Sequence, residues 1–278
     1  MIKKTLLVLL TSFSFVISAT AATVYTAGAV STATGGSGRG VIEPVDSILL
    51  NPAIVSQMNS KFFSVNYSKD QWGITIADNG REALFPAALA FVRNESALLS
   101  TQQLALILAH NFGHFFSVGL NVSLVEYDQL ITGQSKKFQQ TIGQVAIAYM
   151  PTQNFGFGIV TNRAFSSETE LAPPLQVQKT FGAGLNYTYL SFIRFRFDIE
   201  SAPENKTNKL VYMGGIETYM NDWIIIRLGY QNNNVVQKNY VTGGLGFAGP
   251  QFGLHYGYMQ NVAERSEDKH SIDLAIPF

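Results

Sequence analysis

The 278-residue sequence contains no cysteine, which excludes a disulfide framework and any thiolate-held metal. Charge is scarce as well. Asp, Glu, Lys and Arg together make up 14% and cancel to a formal net charge of zero, with no basic block, so nothing suits a nucleic-acid backbone. Beyond the first residues no stretch approaches the roughly 20 consecutive apolar residues that a membrane-crossing helix requires, and a helical membrane protein is excluded. Chemical signatures are also missing. His110 and His114 lie four apart without a Glu at the spacing of a zinc protease, and Gly35-Gly36-Ser37-Gly38 follows no strand as a phosphate loop must. Neither a metal nor a cofactor is implied.

What is present is apolar and strand-forming: 46% hydrophobic residues, with 20 Phe, 12 Tyr and 24 Gly. Met1 to Lys4 is short and basic, Leu6 to Ile17 is an apolar run, and Ala19-Thr20-Ala21 supplies the small-x-small cleavage pattern. Residues 1–21 therefore read as a secretory signal peptide. The chain ends on Phe278 after a segment in which Ile272, Leu274 and Ile276 share one face and Ser271, Asp273 and Ala275 the other. A terminal Phe on such a strand resembles the signal by which barrel-insertion machinery recognises its clients, which makes that machinery an expected partner.

Between these ends the hydrophobic period is two. Phe181, Ala183, Leu185, Tyr187 and Tyr189 alternate with Gly182, Gly184, Asn186 and Thr188, and Phe116, Val118, Leu120, Val122 and Leu124 with Ser117, Gly119, Asn121 and Ser123. The pattern predicts strands at 61–68, 71–78, 84–93, 102–111, 114–126, 138–150, 154–162, 178–190, 192–200, 209–220, 223–232, 238–248, 251–260 and 269–278. The stretch 102–111, with its Leu-Ala-Leu-Ile-Leu-Ala, also reads as a helix. Tight connections such as Asn221-Asp222 and Phe112-Gly113 alternate with longer polar ones, Asn261–Asp268, Asn233–Gln237, Ser201–Asn208, Arg163–Val177 and Asp128–Lys137. That is the rhythm of an outer-membrane barrel with short periplasmic turns and longer outer loops. A soluble β-sandwich competes, but its outward faces would carry Lys and Glu. Here large apolar residues pair with Gly, Ser, Asn and Thr, and aromatics such as Tyr67, Trp72, Tyr149, Tyr189, Trp223 and Tyr230 sit near strand ends as interfacial girdles do. The expected fold is an all-β, antiparallel transmembrane barrel of about 14 strands over residues 59–278, in the outer membrane of a Gram-negative bacterium, in contact with its lipids.

Residues 22–58 do not read as barrel. They hold too few alternating positions for a spanning strand and too many apolar ones for a disordered tail, and a segment of that kind suits a plug. Gly38-Arg39-Gly40, then Asp46, then Asn51-Pro52-Ala53 directly before the first strand resembles the N-terminal hatch of the FadL/TodX long-chain fatty-acid transporter family, PorV-like relatives included. The resemblance implies a barrel of 14 strands with the hatch inside and passive transport of small hydrophobic molecules. A PorV-like barrel serving protein export or surface assembly is the alternative. Ile54 stands where the family usually has Gly, and the outer connections Glu95–Thr101 and Asp128–Lys137 are brief. Family members carry a kink in an early strand, for which Pro86 is the candidate because it removes a ladder donor. A position at the start of its strand is the other reading.

The alternation turns Arg194, Arg196, Asp198, Glu217, Arg227, His255 and Asp273 toward the lumen, as an ion-pair network that holds the wall together or as a selectivity lining. His255 falls near Ser271 and Asp273 on the adjoining strand, but nothing beside them supplies an oxyanion hole, so no catalytic set is assigned.

Overall fold

A computed structural model describes residues 28–96, 99–131, 134–204 and 209–278. The signal peptide expected at 1–21 lies outside the described residues. Fourteen strands close into one antiparallel barrel, each hydrogen-bonded to its chain neighbours, with β1 (Phe62–Ser68) pairing β14 (Asp268–Pro277) to complete the ring. Closure leaves no edge, and in hydrocarbon an edge would strand a row of backbone N–H and C=O groups without partners.

The remaining strands are β2 (Gln71–Asp78), β3 (Ala87–Glu95), β4 (Leu99–Phe112), β5 (Phe116–Ile131), β6 (Gln134–Thr152), β7 (Phe155–Ser166), β8 (Thr180–Tyr189), β9 (Ile193–Ser201), β10 (Leu210–Tyr219), β11 (Ile224–Asn233), β12 (Lys238–Ala248) and β13 (Gly253–Asn261). β4 answers the ambiguity of 102–111. Leu104 and Leu106 point outward and are exposed, while Ala105, Ile107 and Ala109 point inward and are buried. The Leu/Ala repeat is therefore a lipid-side/lumen-side alternation and the stretch is strand.

The outer face is apolar around the ring, with Leu104, Ile147, Ile159, Leu185, Phe195, Ile216, Leu245 and Ile272 all exposed. At the end that holds Phe62 and Phe278, aromatic side chains form a girdle: Trp223 lies 5.6 Å from Phe247, and Phe247 5.4 Å from Phe252. Such a band with polar residues behind it is the surface of a membrane-spanning barrel.

Two expectations need correction. The segment Asp128–Lys137 is not a loop, because β5 and β6 stay paired up to Ile131 opposite Gln134. Its polar residues misled because a strand that projects beyond lipid needs no apolar face. Pro86 does not kink a strand. It stands one residue before β3, its carbonyl still accepts from Ala109 N at 3.0 Å, and β3 keeps unbroken register with β2 and β4. The wall is irregular at β6–β7 instead, where the register shifts between Gly143 and Val145, and Arg163 adopts φ 50° on the facing strand.

Residues 28–58 lie inside the ring. A short helix α1 (Ala29–Ala33), a second, α2 (Ser47–Leu50), and a 3-10 helix (Pro52–Gln57) follow one another, and Val30, Val41, Leu50, Ile54 and Val55 are buried.

Candidate functional site

The lumen has two chemically different sides. On the β9–β14 side, the inner segment is held by charge. The backbone N–H groups of Gly38 and Arg39 donate to Asp198 Oδ2 at 3.0 and 2.9 Å, and Arg39 Nη1 reaches the same oxygen at 3.1 Å. Arg39 also pairs with Glu200. Glu43 Oε1 accepts from Arg194 Nη1 at 3.0 Å and Arg196 Nη2 at 2.7 Å. Glu217, fully buried, takes Arg196 Nε at 2.5 Å on one oxygen and Arg227 Nε at 2.8 Å on the other. Buried ions of both signs, hydrogen-bonded in this way, offset the cost of leaving water, and removing one member leaves the rest uncompensated. Asp273 Oδ2 accepts from Ala29 N and Asp46 Oδ2 from Ser31 N, both at 2.5 Å, at the start of α1.

Asn51-Pro52-Ala53 forms the start of the 3-10 helix. Asn51 Oδ1 accepts from Ala53 N at 3.0 Å, a helix N-cap followed by Pro where its missing N–H costs nothing. The Asn51 amide donates to Arg39 O at 2.7 Å and to Ile147 O of the wall at 3.2 Å. One side chain thus joins the capped helix, the Arg39 turn and β6. Gly40 lies flat on β7–β8, where a Cβ would come within 2.8 Å of Gly184 O and 2.9 Å of Gly156 O, which leaves room for no other residue.

On the β3–β7 side, among the described residues, the lumen carries no fully buried charge; half-buried Arg163 stands at its rim, donating to Val177 O and Gln176 Oε1, both at 3.0 Å. Ile48, Ile54, Val55 and Met58 pack against Ile107 and against Ala88, Ala90, Ala105, Ala146 and Ala148, whose small side chains make room for the 3-10 helix. Ile54, which replaces the Gly of the resembling motif, is completely buried in this cluster. Above it lies a belt of neutral amides and hydroxyls: Gln103 Nε2 donates to Ser123 Oγ (2.8 Å), Ser123 to Asn121 Oδ1 (2.8 Å), and Asn121 to Gln144 Oε1 (3.0 Å). Above the belt, Leu99, Val125, Tyr127, Phe138 and Ile142 form a second apolar cluster. The β7–β8 loop covers it with Leu171, tied down by Gln176 Nε2 to Leu171 O (2.6 Å) and by Val177 N to Tyr127 Oη (3.4 Å). At the opposite end a cavity of about 620 Å³ is bordered by Val41, Ile42, Gln57, Phe115, Met150 and Phe155.

Of the residues singled out in the sequence, Arg196, Asp198, Glu217, Arg227, His255 and Asp273 are buried in the lumen, and Arg194 joins them half-buried. His255 Nδ1 lies 3.3 Å from Arg227 Nη1, while Ser271 Oγ lies 3.2 Å from Thr32 Oγ1, so the members of the Ser/His/Asp trio turn to different partners. Sequence reasoning missed Glu43, which bridges two arginines. Nothing in the sequence says which stretch of wall Glu43 faces, and only the ring places it between Arg194 and Arg196.

The fold and its enclosed inner segment define a class, that of 14-stranded membrane barrels with the FadL/TodX-like architecture. Solved structures carry the same fold. The chain is similar to the Ralstonia pickettii toluene transporter TbuX (TM-score 0.65, 12% identity, 90% of this chain and 98% of that one). It is similar also to the P. putida toluene transporter TodX (0.63, 12%, 90% and 98%) and to a Pseudomonas aeruginosa FadL homologue (0.63, 10%, 90% and 98%). No protein-family model matches the sequence, and no curated protein is similar to it in sequence.

Proposed function

We propose that this chain is an outer-membrane barrel of a Gram-negative bacterium that passes small hydrophobic molecules passively through its lumen, with residues 22–58 as the hatch. One observation carries this reading: the uncharged side of the lumen runs from an apolar cluster beneath the β7–β8 loop, through a neutral amide belt, to the apolar cluster around the 3-10 helix. An uncharged solute moving along that side leaves no ion pair broken, whereas a charged one would meet apolar walls without a counter-ion. The neighbouring architectures, described as toluene transporters, support the same substrate class. Gly38, Arg39, Gly40, Asp46 and Asn51 to Ala53 position the hatch, and Arg194, Arg196, Asp198, Glu217, Arg227, His255 and Asp273 line or anchor it. Phe278, exposed at the terminal end with its N–H on Lys61 O at 3.1 Å, is offered to the barrel-insertion machinery.

The test compares refolded barrel with and without residues 22–58, in planar bilayers and in a liposome uptake assay with toluene and a fluorescent fatty acid. Uptake by the intact chain, with a large conductance appearing only on deletion, is the expected result. Two silent forms that bind neither compound would overturn transport. The fixed ionic side favours the second reading, a PorV-like barrel that handles exported proteins, and pull-downs would then follow.

A further inference from the structure

Lipid-facing glycine is rare in this wall. Among the described strands, Gly143 on β6, Gly214 on β10 and Gly243 on β12 occupy outward positions, and the Phe165 ring lies over Gly143; the other two sit between exposed neighbours on their own strands. The two differ in what stands over them. A Cβ at Gly243 would meet Leu228 Cδ2 at 3.7 Å, so a neighbour already leans across the gap. At Gly214 the nearest atom is the backbone carbonyl of Arg196 at 3.7 Å, and no side chain covers the position. The result is an apolar recess of about 420 Å³ in the outer surface, within the size range of small-molecule sites. Phe197 and Tyr230 flank Gly214 directly across the two ladders, and Tyr212, Ile216 and Leu228 complete the rim.

The recess is held open from behind. Gly215 and Gly229 face inward next to it, paired with each other, and the inner segment presses into the space they leave. A Cβ at Gly215 would lie 2.5 Å from Thr34 Cβ, and one at Gly229 2.6 Å from Gly35 N. Gly35 itself, at φ 70°, abuts the carbonyls of Tyr230 and Gly214. The wall here is one backbone thick with a filled lumen behind it, so it cannot yield inward and close the gap. Rings with two rotatable bonds make stiff sides. A hollow that is preformed in this way binds without the entropic cost of ordering its own walls.

From this we infer that the recess over Gly214 is a binding site for a single hydrocarbon chain, the acyl tail of a membrane lipid. The occupant follows from position, since the hollow lies on the outer face and is continuous with its exposed apolar band. The inference stands apart from the transport reading, because it concerns the outer face and requires no passage through the lumen.

The test reconstitutes the full chain into vesicles containing a phospholipid with a diazirine on its acyl tail, followed by photolysis and peptide mapping. Labelling of Phe197, Tyr212 and Tyr230 should exceed severalfold that of Tyr187 and Phe181, which are comparably exposed on the same wall. Gly214→Leu, whose backbone is not in the left-handed region, should bring it down to that level while Gly243→Leu leaves it unchanged. Retained heat-modifiable migration on gels would establish that both variants are folded. Labelling that simply follows exposure around the ring, in the wild type as in Gly214→Leu, would overturn the site. So would labelling by a free diazirine fatty acid but not by the phospholipid, which would make the recess a station for solute instead of lipid.

Discussion

The two sides of the lumen enclose the same inner segment by opposite means. Along β9–β14 it is pinned by directional, charge-assisted bonds from Arg39, Glu43 and the start of α1. Along β3–β7 it rests on alanines, held by packing and by the bonds of Asn51 and Gln144. A charged contact has one good geometry, and a shift of one ångström forfeits most of it. An apolar contact slides at little cost as long as the area stays covered. The difference teaches that the same small displacement of the inner segment costs far more on the charged side than on the apolar one.

The comparison is most severely tested at Glu217. Glu217→Ala leaves Arg196 and Arg227 buried without their carboxylate, at a cost of about 3–5 kcal/mol. Urea unfolding followed by gel migration should show it, and an unaltered midpoint would mean that the ionic side carries no structural weight. Next comes Ile54→Ala, which removes buried volume from the neutral side at a cost of about 2–4 kcal/mol. Here uptake of an uncharged solute should rise while ion conductance stays flat. Arg39→Ala, by contrast, should raise ion conductance, since it frees the charged anchor; equal responses of the two variants would erase the distinction.

Smaller effects come from the rim. Tyr127→Phe deletes the hydroxyl that donates to Gln140 Oε1 and accepts from Val177 N, a loss of about 1 kcal/mol. Hydrogen exchange of residues 171–177 should quicken while the barrel ladders stay protected. Last is Glu267, in the β13–β14 loop, whose carboxyl is held below its usual value by the hydrogen bond from Lys238 and then that from Asn261. A depressed carboxylate adds stability above its unfolded value and loses it as pH falls through the folded one. For so exposed a pair, solvent screening reduces this to a few tenths of a kcal/mol. The wild type should therefore exceed Glu267→Gln only slightly in stability at neutral pH, and the two should converge as an acid titration passes below the ordinary carboxylate range.

Much of this was legible in the sequence because a barrel wall obeys a single rule. Every strand residue faces lipid or lumen, so alternation gives both the strand count and the inward set from Arg194 to Asp273. The failures fall where the rule lapses. Ser135 to Lys137 are strand residues beyond the lipid, free of the apolar requirement, and so looked like loop. Pro86 is compatible with a kink or with a strand start, and only the pairing of its neighbours decides. Glu43 was overlooked because its role depends on which wall the inner segment faces, a tertiary fact with no local period. The division of the lumen into charged and neutral sides is likewise visible only once the strands are arranged in a ring.

The unequal strands have an effect on the shape of the mouth. β1 and β2 run 7 and 8 residues, short of the roughly 9–11 that cross a bilayer, whereas β5 and β6 run 16 and 19. At about 3.3 Å per residue, the β5–β6 lip stands well above the β1–β2 lip. The rim is a bevel. Its opening tips toward the low lip at β1–β2, so the mouth faces sideways over that arc of the wall instead of straight along the barrel axis.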